Sequence, residues 1–174
     1  IAQAAKFYLT QEKAFGILPF GTMNLLARDL GVPEDIQDMF NAYEDAESIS
    51  VDIGTLNGEP YLCAASLGVM PEASKYREEI RKTPDLLDNI RLGTFVFQEL
   101  DAAKRRRLRV TFDDMRAKAL KTSMIVISNN QYTRPDKKNH NNFKRGSLRD
   151  GKLGVYIVAP HSLWDRIRLL LRLQ

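Results

Sequence analysis

The chain predicts an α+β fold, with an α/β portion over residues 1–47 followed by a mainly antiparallel β portion over residues 48–174. Three observations carry that reading. Before residue 47, Ile36, Met39, Phe40 and Tyr43 recur at spacings of three and four, the period of a helix with one apolar face. After it the period falls to two, with Ile49, Val51 and Ile53 alternating with Ser48, Ser50 and Asp52. The pair Asn57-Gly58 then supplies a tight hairpin turn into a second strand over residues 61–66.

Each element has its own local signal. Residues 1–9 read as a helix, and residues 15–18 as an apolar strand that runs into a turn containing Gly21. Thr22 is placed to cap a short helix with its hydroxyl, and Gly31 and Pro33 end that helix. Pro33, Glu34 and Asp35 open the next one. Further strands are expected over residues 108–112, 117–120, 123–128 and 153–158, divided by polar turns such as Asp113-Asp114. Pro84 opens a long helix with Leu87, Ile90, Thr94 and Phe97 on one face, and Ser162 with Asp165 opens another through a capping box. There is no internal repeat.

Composition narrows the class. With 174 residues, 44% of them apolar, the chain can bury a core. Its single cysteine, Cys63, excludes a disulfide framework, fits a reducing compartment and falls in an alternating strand where a small core residue is expected. No apolar run reaches the roughly 20 residues that span a bilayer, and the first residues are no secretory signal, so a cytoplasmic protein is expected. Residues 130–152 are biased, with Asn139-His140-Asn141-Asn142 and the bases Arg134, Lys137, Lys138, Lys144, Arg145, Arg149 and Lys152. They read as a long, exposed, mobile loop anchored by Tyr132 and Phe143.

Charge then bears on partners. From residue 134 to the end, ten Lys or Arg face only Asp136, Asp150 and Asp165, a balance suited to anionic lipid headgroups at about 1 kcal/mol per nearby cation. Nucleic acid is the rival for Lys104-Arg105-Arg106-Arg107 and Arg109. Glu99 and Asp101 precede that run and Leu108 and Val110 thread it, so it reads as a charged strand edge and no nucleic-acid partner is expected. His140 and His161 complete neither a metal set nor a nucleophilic triad.

Two turns carry the chemistry. At Gly21, free backbone N–H groups and the positive end of the following helix would meet, and the missing side chain would let a phosphate approach. The same residues also make an ordinary α/β connection, with Thr22 and Asn24 as helix caps. Asp150-Gly151 makes a turn before the last strand, and Asp52 faces away from Val51 and Ile53 as a solvated or hydrogen-bonded carboxylate.

Leu18-Pro19-Phe20-Gly21-Thr22-Met23-Asn24, with Ala27-Arg28-Asp29-Leu30-Gly31-Val32-Pro33, resembles the nucleotide-site segment of the diacylglycerol kinase catalytic-domain family of soluble lipid kinases. Val51-Asp52-Ile53-Gly54 with Asn57-Gly58 and Tyr61-Leu62 is similar to the strand pair that opens the family's second domain. Ser147-Leu148-Arg149-Asp150-Gly151-Lys152-Leu153 resembles its later Asp-Gly-x-Leu turn. The blocks keep the family's order over residues 15–158.

The resemblance implies that residues 1–47 are the C-terminal part of an α/β nucleotide-binding domain, and that residues 48–174 are a β-sandwich second domain incomplete at its C-terminal end. It implies ATP and Mg²⁺ as cofactors, with Gly21, Thr22 and Asn24 on the nucleotide side and Asp52 in the cleft network. Asp150 and the carbonyls of Ser147 and Lys152 would hold the magnesium through hard oxygen ligands. The implied activity is phosphorylation of a lipid hydroxyl such as that of diacylglycerol, by a cytoplasmic protein peripheral at the membrane, with the lipid substrate at that surface and a second copy in a homodimer as partners.

The departures are specific. Leu25 stands where the family commonly has Asp, and neither the family's Gly-Gly-Asp-Gly-Thr loop nor its Asp-Gly-Glu base occurs in the 174 residues, so this stretch is expected to be inactive alone. The alternative from another class is a non-catalytic β-sandwich that docks on acidic membranes or a protein partner. A kinase of a sphingoid base or a nicotinamide nucleotide would share the architecture.

Overall fold

The computed structural model describes residues 1–11, 13–21, 23–68, 94, 98, 106–111, 113, 116–133 and 143–158. Their order is α1 (Ala2–Leu9), α2 (Leu25–Asp29), α3 (Ile36–Glu44), β1 (Gly54–Leu56), β2 (Glu59–Tyr61), β3 (Ala64–Gly68), β4 (Arg106–Val110), β5 (Lys118–Thr122), β6 (Met124–Asn129) and β7 (Leu153–Val158). The fold is α+β. Two antiparallel hairpins, β1-β2 and β4-β5, accompany a sheet of order β3-β6-β7. Of the helix expected from Pro84 only Thr94 and Gln98 are described, both helical and exposed, and the helix expected from Ser162 lies outside the described residues, as do Thr22, His140 and His161.

The chain divides into two packed units, one of Ile1–Ala65 with Ile127–Val155 and one of Ser66–Val126 with Tyr156–Gln174. The change of period near residue 47 falls inside the first. Its core gathers Ala5 from α1, Ile17, Leu26 and Ala27 from α2, and Leu62, with Phe15, Leu30, Val32, Val51, Ile53, Cys63 and Leu148 packed against them.

Within this unit local chemistry sets the helices. Asp35 caps α3, its carboxylate accepting from the N–H groups of Gln37 and Asp38 at 2.9 and 3.1 Å. Only part of the expected face of α3 is covered: Met39 is fully buried and Tyr43 half-buried, whereas Ile36 and Phe40 stay exposed.

Residues 15–18 do not form the expected strand. Both main-chain polar groups of Ile17 go to one side chain, the Tyr43 hydroxyl accepting from Ile17 N and donating to Ile17 O, each at 2.8 Å. Tyr43 therefore does for Ile17 what a neighbouring strand would do. Residues 48–53 likewise belong to no strand, and β1 begins only at Gly54.

The first hairpin follows its turn chemistry. Asn57 (φ 53°) and Gly58 (φ 83°) both take the left-handed conformation that a two-residue turn of this hand needs, and Leu56 then pairs with Glu59. Gly54 pairs with Tyr61, whose ring covers it so closely that a Cβ at Gly54 would run into the ring. Where residues 61–66 read as one strand, the chain makes two, β2 and β3.

In the second unit β4 and β5 form a ribbon with two unlike faces. Arg107 lies opposite Lys121 and Arg109 opposite Ala119, and all four are exposed. On the other face Leu108 and Val110 are half-buried. Thr122 is buried at the end of the ribbon, its hydroxyl accepting from Met124 N and donating to Met124 O.

Candidate functional site

The Gly21 turn is closed by Asn24. The side-chain amide of Asn24 donates to Pro19 O at 2.7 Å, and its oxygen accepts from Gly21 N at 2.8 Å. This corrects the expected geometry twice. The N-cap position of α2 falls on Asn24, in a left-handed conformation (φ 46°) and without a side-chain cap bond, so Asn24 does not cap the helix with its side chain. The Gly21 N–H is held inside the turn by Asn24 and is not free for a ligand, because the short Asn side chain reaches back across three residues. Phe20 and Met23, on either side of the turn, are exposed.

The second cluster joins Asp52 to the Asp150 turn. Asp52 is fixed along its backbone, its N–H donating to Leu148 O at 2.7 Å and its carbonyl accepting from Asn129 Nδ2 at 2.5 Å. Its Oδ2 accepts from Gly151 N at 2.7 Å and from Asn130 Nδ2 at 2.6 Å. The same Asn130 nitrogen donates to Asp150 Oδ1 at 2.6 Å. One amide thus bridges two carboxylates.

Asn130 sits just past β6, in a left-handed conformation (φ 72°) that asparagine tolerates, and forms a parallel bridge with Leu153. It is buried, and its Oδ1 has no hydrogen-bond partner among the described residues. Asp150 is exposed, and the Asn130 amide, aided by the Lys152 N–H, holds its carboxyl below the ordinary carboxylate value.

A buried ion pair ties α2 to this cluster. Arg145 Nε meets Asp29 Oδ2 at 2.6 Å, with both side chains almost wholly buried. Arg145 N also donates to Asp29 Oδ1 at 3.1 Å, and its Nη1 donates to the carbonyls of Leu62 and Asn129 at 2.5 and 3.1 Å. The expectation that Arg145 belongs to an exposed basic loop is therefore overturned. The rings of Tyr132 and Phe143 meet edge to face at 5.5 Å and Thr133 N donates to Lys144 O at 2.8 Å, while the rest of the expected loop, residues 134–142, lies outside the described residues. A cavity of about 240 Å³ lies beside α2, lined by Leu25, Arg28, Asp29, Gly31, Val32, Phe143 and Lys144. Neither carboxylate of the acidic cluster lines it.

Of the residues singled out in the sequence, Asp52 and Asp150 are thus brought together, with Ser147 and Lys152 flanking Asp150 in the chain. Gly21 and Asn24 share the turn that leads into α2, and Thr22 lies outside the described residues. Asn130, Asn129 and the Asp29–Arg145 pair were not anticipated. The only sequence signal for the first two is an Asn-Asn pair directly after an apolar strand.

Among the described residues no three His, Cys, Asp or Glu side chains gather as for a metal ion. The oxygens near Asp150 nevertheless suit a hard cation such as magnesium: a carboxylate kept ionised and exposed, in a turn that also offers main-chain carbonyls. Among the described residues no helix is long and apolar enough to cross a membrane.

Comparison with known proteins bears on the first part of the chain most directly. Residues 1–56 match the family model described as "Diacylglycerol kinase catalytic domain". A diacylglycerol kinase of Staphylococcus epidermidis is 30% identical over 104 residues, which cover 57% of this chain and 31% of that protein. One from Staphylococcus aureus strain Newman is 30% identical over 103 residues, 56% of this chain and 30% of that protein. The crystal structure of a diacylglycerol kinase from Bacillus anthracis strain Sterne is similar in fold, with a TM-score of 0.55 at 20% identity, covering 87% of this chain and 48% of that one. The chain thus spans about a third of the length of these curated relatives and about half of the solved structure.

Proposed function

We propose that this chain, whose residues 1–56 match the diacylglycerol kinase catalytic domain model, is part of a kinase that transfers the γ-phosphoryl group of ATP to a hydroxyl of a lipid such as diacylglycerol. The observation that carries the proposal is the tie between Asp52 and the Asp150 turn, through Asn130 Nδ2 and Gly151 N. It brings two of the three sequence blocks that resemble the family onto one hydrogen-bonded cluster.

In this reading Gly21, Thr22 and Asn24 line the nucleotide side, and Asn24 acts by fixing the shape of the turn from Pro19 to Gly21. Asp150 and the carbonyls of Ser147 and Lys152 would hold magnesium, which when bound would offset phosphate charge. Asp52 orients the Asp150 turn through the Gly151 N–H. The Asp29–Arg145 pair keeps α2, and with it the nucleotide turn, in register with the strand ends at Leu62 and Asn129. The base that takes the hydroxyl proton would be the family's Asp-Gly-Glu, a motif that does not occur in these 174 residues.

The protein is proposed to work in the cytoplasm at a membrane surface. The exposed Arg107, Arg109 and Lys121 on one face of the β4-β5 ribbon favour an anionic surface there.

The test uses the chain with its flanking gene sequence, radiolabelled ATP, Mg²⁺ and micelles containing diacylglycerol. Label in extracted phosphatidic acid is expected, with none from the 174 residues alone. Absence of label in any extracted lipid from the longer protein would overturn the kinase reading and leave the membrane-docking module standing.

A further inference from the structure

Two carboxylates bound to one nitrogen are close neighbours, and left to themselves they repel. Asn130 opposes that repulsion with a neutral group. Its amide has two hydrogens, one for Asp52 Oδ2 and one for Asp150 Oδ1, both at 2.6 Å. A hydroxyl has one hydrogen and could hold only one of the two. An arginine or lysine would hold both but would cancel their charge, and so compete with any cation the pair could attract.

The amide is itself held in place. Asn130 is 1% exposed, its backbone is bridged to Leu153 next to the Asp150 turn, and its left-handed φ of 72° turns the chain there. Its Oδ1 is buried without a partner among the described residues, a cost that a side chain retained for packing alone would not carry.

We infer that Asn130 is a positioning residue for cation binding, holding Asp150 beside Asp52 so that the Asp150 turn meets a divalent cation already in its binding geometry. The inference rests on the reading that Asp150 and the carbonyls of Ser147 and Lys152 hold magnesium. It adds that affinity depends on a residue that supplies no ligand atom. Removing the bridge leaves the Asp52 carboxylate tied to the turn only through the Gly151 N–H, so the Asp150 carboxylate is free to swing away from Asp52 and must be reoriented each time a cation binds.

The experiment is a calorimetric titration of the full chain with MgCl₂, with melting temperature followed by circular dichroism. Asn130→Leu keeps the shape and removes both donors, and it is expected to weaken Mg²⁺ binding tenfold or more. Asn130→Ser keeps one donor, is the milder replacement should the leucine variant fail to fold, and is expected to fall between that variant and the parent. Met39→Ala, in the packed face of α3, serves as the stability control: its melting temperature should fall while Mg²⁺ affinity stays at the parent value. A purely structural Asn130 would behave like Met39.

Parent-like Mg²⁺ affinity in either Asn130 variant, with the parent itself binding, overturns the positioning role and leaves the Asp150 site intact. No binding heat from the parent overturns the Asp150 site and this inference with it.

Discussion

Arg145 and Asp29 meet where water does not reach, with side chains 2% and 3% exposed. A pair in that setting is costly to break from one side, because the partner left behind is a buried charge with nothing to balance it. Asp29→Ala is expected to lower stability by about 3–5 kcal/mol, read from the midpoint of urea unfolding. A loss under 1 kcal/mol would mean that water reaches the pair. Asp150 gives a pH dependence of known sign. Its folded carboxyl is held below the ordinary value, so its contribution is complete above the ordinary carboxylate range and fades as pH falls through the depressed folded value. The stability difference between the parent and Asp150→Asn should therefore shrink below about pH 4, as measured by denaturation across an acid series. Burial pushes the Cys63 thiol up, so it is protonated at neutral pH, and its alkylation by iodoacetamide at pH 7.5 should be much slower than that of a free cysteine. Labelling at the rate of a free cysteine would place Cys63 outside the core contacts around Leu62.

At the scale of the element, close approach and turn hand decide the first hairpin. The ring of Tyr61 lies on Gly54 with no room for a methyl group, so Gly54→Ala is expected to destabilise by about 1–3 kcal/mol, seen as a lower melting temperature. An unchanged value would show that the Tyr61 ring swings away freely. The elements that were legible in the sequence are those whose cause is local. Asp35 bonds to amides two and three residues on, Asn57-Gly58 fixes its own turn, and β7 covers the expected residues 153–158. What was not legible is set by partners distant in the chain. Arg145 looks like one base among several in a polar run until Asp29, 116 residues away, takes it inside. The strand expected over residues 15–18 is replaced by bonds to Tyr43, 26 residues on. At the site, Asp52 and Asp150 were singled out only by their place in blocks that resemble the family, while Asn130, which joins them, carries no motif of its own.

For the whole molecule, a net charge of +4 understates how charge is arranged. Arg107 and Lys121 are placed directly across from each other on β4 and β5, a pairing of like charges that a sheet resists unless an anionic surface covers it. Co-sedimentation with vesicles containing phosphatidylglycerol should therefore exceed that with neutral vesicles and fall as salt rises. Replacing Arg107, Arg109 and Lys121 together by Ser should remove most of the excess; retention of it would move the membrane contact elsewhere.

The Tyr43 hydroxyl has a further effect on how firmly the interior is held. By filling the donor and the acceptor of Ile17 at once, it keeps two main-chain groups of a core residue satisfied with one atom. Without that single oxygen atom, as in Tyr43→Phe, both groups would be left without that partner in the interior, a loss of stability rather than of shape.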